Sequence, residues 1–306
     1  MNLRWDILVD YLPLFMSGIW MTLKLVLVSL SAGLVLGLLL GLLRSTEEGP
    51  KPRQQWLRPI LSGLRLLAKV YVTFFRGTPL FVQILLVHFA LMPLLINADG
   101  GLLISGDMAR TFRQEHGALA SGVLALLLNS GAYISEIIRA GVQSIHQGQI
   151  QASWSLGLTH AQTMRFIVLP QAFRRMMPAL INEGVTLIKD SSLVSAIGLA
   201  EIAFAARTVA GAHARYWEPY LAISAIYLVL TFSLAWLGGK LEAPSNQRAP
   251  TVDALRRTAD TALATHQLPV ISRTVFSAPA FRLSVACEAL NSSTSLVRAN
   301  ANDTKR

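Results

Sequence analysis

Residues 12–43 read LPLFMSGIWMTLKLVLVSLSAGLVLGLLLGLL, and across these 32 residues Lys24 is the one formal charge. About 20 apolar residues are enough to carry a helix across a hydrocarbon core, so this stretch spans a membrane with length left for tilt or extension. A secretory signal would have a shorter apolar part, basic residues before it and a small-residue cleavage site after it. Here Arg4 is balanced by Asp6 and Asp10 and no such site follows, so the segment reads as a retained transmembrane helix. The rest of the chain agrees. Hydrophobic residues make up 53% and charged residues 14% of the 306, where a soluble domain carries about 25% charged. The mean hydropathy is +0.47. A formal net charge of +10 would suggest nucleic acid in a soluble protein. In a membrane protein it reflects Lys and Arg held on the cytoplasmic side, and no nucleic-acid partner is expected. One cysteine, Cys287, excludes an intramolecular disulfide and a cysteine metal cluster, and no metal or cofactor is expected.

Four further spans follow, at residues 60–96, 117–138, 178–206 and 219–240. The second starts from Leu57 in the cytoplasm or interface, carries Arg58, Arg65, Lys69 and Arg76 in its first half, and enters the membrane near Tyr71. The fourth is interrupted by Glu183, by the cluster Lys189, Asp190, Ser191 and Ser192, and by Glu201. The expected architecture is an all-α integral membrane protein of five transmembrane helices. Residues 44–58 hold four Lys/Arg and residues 139–175 hold four, whereas the loops 97–116 and 207–218 hold two each. Counting only Lys and Arg places the first pair inside, the N-terminus outside and the C-terminus in the cytoplasm.

The loop at 139–175 contains Gln151, Ala152, Ser153 and then Gly157, with small and uncharged residues around them. Gly157 reads as a helix end, and a second amphipathic stretch runs to Leu169, where Pro170 is expected to stop it. Two short helices at a bend make a compact knob whose small side chains let another backbone approach. From the residues alone, a plain connecting loop is as good a reading.

The pattern Gln151-Ala152-Ser153, three residues, Gly157, nine residues, Ile167-Val168-Leu169-Pro170 resembles the Glu-Ala-Ala…Gly…Ile-x-Leu-Pro motif of permease subunits of ABC importers. Gln151 stands in place of the usual Glu, which removes any salt bridge made from that position, and Ser153 replaces the second Ala. Further stretches resemble the polar amino acid uptake branch: Gly18, Thr22-Leu23, Ser29, Gly33 and Gly37; Phe74-Phe75-Arg76-Gly77-Thr78-Pro79-Leu80 with Gln83; Asn129, Gly131-Ala132-Tyr133, Glu136-Ile137 and Arg139; Gln147-Gly148-Gln149; and Lys189-Asp190-Ser191-Ser192-Leu193. The likeness runs from about residue 15 to Glu242. It implies the type I importer permease fold in a bacterial inner membrane, with cytoplasmic coupling helices that dock on a separate ATPase dimer. It also implies a second permease subunit, a periplasmic or lipid-anchored binding protein, and a polar amino acid as substrate.

No Gly-x-x-x-x-Gly-Lys-Ser/Thr phosphate loop occurs in the chain, so ATP hydrolysis is expected in a partner and not here. Polar residues inside membrane spans mark pathways or helix contacts. Pro79 is expected to break or kink the second span and expose Thr78, as a gate or as a purely structural bend. Asn129, Tyr133 and Glu136 fall on one helical face, to line the pathway or to bond a partner permease. Asn182, Glu183, Lys189, Ser191 and Ser192 on the fourth span complete the pathway candidates, with Arg76, Gly77 and Gln83 beside the break. Gly33, Gly37 and Gly41 form a small-residue stripe expected to pack a helix seam, within the subunit or against its partner. A stand-alone ion-coupled carrier or channel working through Glu136 is the alternative, and a membrane scaffold a third class. Residues 243–306 carry a net +4 and low periodicity, and read as a disordered cytoplasmic tail that could contact anionic lipid.

Overall fold

A computed structural model describes residues 3–45 and 57–242, with the side chains of residues 57, 58, 241 and 242 left aside. The expected tail at 243–306 and part of the 44–58 loop lie outside the described residues. The described chain is helical: α1 Asp6–Asp10, α2 Leu12–Ser45, α3 Leu57–Gly77, α4 Leu80–Leu95, α5 Gly106–Gln143, α6 Gln147–Ser155, α7 His160–Ile197, α8 Ile202–His213 and α9 Trp217–Glu242. Among the described residues, α2, α5 and α9 are each long and apolar enough to cross a membrane. The pairs α3/α4, bent by 111°, and α7/α8, bent by 50°, bring the number to five if each pair is one span.

The helices wear their large apolar residues outward. On α2, Leu27, Val35 and Leu39 are exposed, and on α9 Leu228, Val229 and Phe232. The buried stripe of α2 is instead small or polar: Gly18, Thr22, Ser29, Gly33, Gly37 and Gly41, with Leu25 and Val26. Lipid tails are as apolar as leucine, so close backbone packing and hydrogen bonding, more than apolar burial, hold such helices together. The glycine stripe packs within the subunit, against α5. A Cβ on Gly37 would lie 2.5 Å from Ile134 Cγ2, and one on Gly41 2.8 Å from Ile138. Around this seam Leu25, Ile84, Leu126, Leu187 and Val194 form the core of α2, α4, α5 and α7. A second cluster, Phe15, Ile202, Val209 and Ile223, joins α2, α8 and α9.

Several expected boundaries shift. The expected span 117–138 lies inside a longer helix, since α5 begins at Gly106 and its first turns carry polar residues. Pro170 does not stop a helix: α7 runs through both Pro170 and Pro178. A π turn at Met164–Val168 leads directly into the proline, and Gln171 Nε2 donates to Ile167 O at 2.9 Å in the same turn. The backbone bonding that a proline would break is already rearranged there. The stretch expected as one fourth span is divided. A 3₁₀ turn at Ser191–Ile197 ends α7, Gly198 takes a left-handed φ of 87°, and Glu201 caps α8 with its side chain.

Candidate translocation and coupling site

The break between α3 and α4 follows from Pro79, which lacks an N–H, and from the extended backbone it adopts before Leu80. Carbonyls freed there meet side-chain amides. Gln83 Nε2 donates to Phe75 O at 2.9 Å, to Thr78 O at 3.0 Å and to Thr78 Oγ1 at 2.8 Å. Asn129 Nδ2, from α5, donates to Gln83 Oε1 at 2.9 Å and to Phe75 O at 3.3 Å. Thr78 Oγ1 in turn donates to Phe74 O at 2.9 Å. Gln83 and Asn129 are both buried. The bend is therefore satisfied inside the subunit, and the amide N–H groups of Asn129 are used at the break.

Beside this network lies a charged hub. The Glu136 carboxylate takes Arg44 Nη1 at 3.0 Å, Arg76 Nη1 at 3.7 Å and, in closer contact, the guanidinium of Arg139. Arg76 also lies over the Tyr133 ring, 5.4 Å from its centroid. Three helices meet on one carboxylate: α2 through Arg44, α3 through Arg76, and α5 itself. The structure thus brings together Arg76, Gly77, Thr78, Pro79, Gln83, Asn129, Tyr133 and Glu136. It does not join them to the α7 candidates. On α7, Asn182 and Lys189 are exposed and Glu183 is half-buried. Ser191 and Ser192 donate back to the carbonyls of Ile188 and Lys189 at 2.6 and 2.7 Å, closing the end of the helix.

Sequence reasoning missed two residues. Arg44 was counted only as a loop charge, yet it pairs with Glu136 across 92 positions. Glu201 read as an interruption, yet it is fully buried, accepts from Phe204 N at 2.9 Å as the α8 cap and from Tyr227 Oη at 2.7 Å. Thr22 Oγ1 lies 3.5 Å away. A carboxylate three residues past a glycine, just before an apolar helix, is the signal that points to such a cap.

The knob forms as its residue types demand. His146 Nδ1 accepts from Gly148 N at 3.0 Å to start α6, Gly157 ends it with φ 81°, and Thr159 with Gln162 makes a capping box for α7. Ser153 and Thr163, both buried, share a 2.8 Å hydroxyl contact that pins α6 to α7. The hydroxyl that distinguishes Ser153 from alanine therefore has a partner. Gln151, Ala152, Gly157 and Pro170 are exposed and Leu169 half-buried, while Trp154, Leu156 and Phe166 stand out from the surface. Among the described residues no three His, Cys, Asp or Glu side chains converge as metal ligands.

Three helices long and apolar enough to cross a membrane, two bent helix pairs beside them and a capped apolar knob mark an integral membrane protein. The chain belongs to the family described as binding-protein-dependent transport system inner membrane component, which matches residues 60–243. It is 36% identical to the arginine transport system permease protein ArtQ of Bacillus subtilis, over 79% of this chain and 97% of that protein. It is 34% identical to the glutamine transport system permease protein GlnP of Escherichia coli K12, with the same coverage. Among solved structures, a chain from an amino acid ABC transporter crystallised with histidines superposes with a TM-score of 0.64 at 36% identity, covering 79% of this chain and 99% of that one. A chain of the inward-facing MetNI methionine ABC transporter, at 20% identity and a TM-score of 0.57 over 76% and 95%, shares the fold.

Proposed function

We propose that this chain is the permease subunit of an ATP-binding cassette importer for polar amino acids in a bacterial inner membrane. Its N-terminus lies outside and its C-terminus in the cytoplasm. A second permease subunit completes the pathway, a solute-binding protein delivers substrate, and an ATPase dimer docks on the knob formed by α6 and the start of α7. The observation that carries this reading is the knob. An exposed Trp154, Leu156 and Phe166 on a rigidly capped element, within a chain of this family, is a docking surface in search of a partner. Gln151, Ala152, Ser153, Gly157, Leu169 and Pro170 shape it, and α5 connects it directly to the Glu136 hub and the broken helix. Movement of the ATPase would reach the bend at Thr78–Pro79 by that route. Asn182, Glu183, Lys189, Ser191 and Ser192 remain candidates for the pathway wall.

A carrier driven through Glu136 would need a carboxylate free to bind and release a proton or cation. Three arginines hold Glu136 instead, and none of the relatives supports that reading. Purification of the tagged chain from its own cells tests the proposal. An ATPase subunit should accompany it, and Gly157→Val should release that subunit and cut uptake of labelled amino acids at least tenfold. A β-branched residue is strained at the left-handed φ of Gly157. Recovery of the chain without an ATPase, or full uptake by Gly157→Val, would sink the idea.

A further inference from the structure

The Glu136 hub opens on one side into a cleft between α2, α3 and α5, lined by Arg44, Lys69, Thr73, Arg76, Tyr133 and Glu136. Arg44, Lys69 and Arg76 line it with one carboxylate, which Arg139 also contacts. Arg44 and Arg139 take the short contacts, so Arg76 is left at 3.7 Å. Among the described residues no carboxylate pairs with Lys69. Lys69, Thr73 and Arg76 fall on one face of α3 by their spacing of four and three residues.

The helices that carry these charges also present exposed apolar residues. Along α3 only Ala68 and Val72 are buried, whereas Leu66, Val70 and Phe74 are exposed, as are Leu38 and Leu39 on α2. Basic side chains without a carboxylate of their own among the described residues favour an anion, the more so where water is scarce. The anion must also tolerate an apolar neighbour. A guanidinium and an ammonium beside a hydroxyl suit a phosphate, which Arg binds through two parallel N–H groups and Lys as a point charge. An acyl chain suits Phe74, past the expected entry of α3 into the membrane at Tyr71, and Leu38 and Leu39 on α2.

We infer that this cleft binds an anionic phospholipid, with the headgroup phosphate between Lys69 and Arg76 and the acyl chains along the exposed faces of α3 and α2. In the proposed orientation the lipid comes from the cytoplasmic leaflet, where anionic headgroups attract basic residues near the membrane surface. The lipid would brace Arg76 at the entrance to the broken helix. The inference requires only that the chain is membrane-embedded, and not that its substrate is an amino acid.

The test uses the full-length protein with its accompanying subunits, in nanodiscs made of equal parts dioleoylphosphatidylglycerol and dioleoylphosphatidylcholine. Native mass spectrometry then counts the lipids that stay bound after ejection. The wild type should retain phosphatidylglycerol over phosphatidylcholine. Lys69→Gln should reduce that preference about fivefold, the effect of one basic residue near an anionic headgroup. Lys69→Arg should keep it, and Arg113→Gln, remote from the cleft, should leave it unchanged. Equal retention of the two lipids by the wild type, or an unchanged preference in Lys69→Gln, overturns the inference. So does a disulfide between two copies carrying Lys69→Cys and Cys287→Ser, because the cleft would then be a protein interface.

Discussion

At Phe75 and Thr78 the backbone gives up helical bonding beside Pro79, and in an apolar setting each freed carbonyl needs a partner from the protein. Gln83 supplies two of those bonds and is itself held by Asn129. Gln83→Leu keeps approximate size but removes the side-chain donor to Thr78 O, leaves Phe75 O with Asn129 alone and takes an acceptor from Asn129 Nδ2. It should cost about 1–3 kcal/mol and lower the thermal midpoint of the purified protein, measured by intrinsic fluorescence. An unchanged midpoint would mean that the amide does not support the bend. Thr78, Gln83 and Asn129 all stood out in the sequence as polar residues in apolar surroundings. Their pairing did not, because Asn129 lies 46 positions from Gln83 and spacing speaks only of neighbours on one helix. The same holds for Arg44 and Glu136, and for Glu201, whose partners come from α2 and α9.

The element-scale contrast lies between two glycines in two helices. On α2, a methyl group on Gly37 would sit 2.5 Å from Ile134 and 3.1 Å from Gly131 O, so α2 and α5 would have to separate. On α3, a methyl group on Gly63 would meet nothing within 4 Å. Gly37→Ala should therefore destabilise by about 1–3 kcal/mol through overpacking, and Gly63→Ala should be neutral or stabilising by up to about 1 kcal/mol through helix propensity. Thermal midpoints of the two variants decide it, and equal shifts would contradict the packing account. The four-residue repeat of Gly33, Gly37 and Gly41 announced a seam in the sequence. Which helix fills it was left open, since small residues permit close approach without naming the approaching partner. The reach of α7 through Pro170 was also hidden. A proline normally marks a helix boundary, and the π turn that accommodates this one depends on hydrogen bonds that residue types do not encode.

For the molecule as a whole, the proposed topology of five crossings with the knob inside predicts which surfaces are reachable from each compartment. A cysteine placed at Leu156, in a Cys287→Ser background, should react with a membrane-impermeant maleimide in inside-out vesicles and not in intact cells. A cysteine at Met108, exposed near the start of α5, should show the reverse once the outer membrane, if there is one, is permeabilised. Labelling of Leu156→Cys from outside would invert the topology and remove the docking proposal with it.

Long apolar runs determined the membrane class and the expected number of spans, an uneven placement of Lys and Arg set the expected orientation, and the spacing around Gly157 carried the resemblance that implies a docking partner. These are properties of composition and of residues near one another in the chain, and membrane insertion reads the same quantities. The tertiary structure decided that α3 and α4 meet at 111°, that Gln83 and Asn129 bond across the bend, and that Arg44, Arg76 and Arg139 converge on Glu136. It also decided that α5 covers the glycine stripe. Each of these joins residues from different helices, and their geometry exists only once the helices have packed.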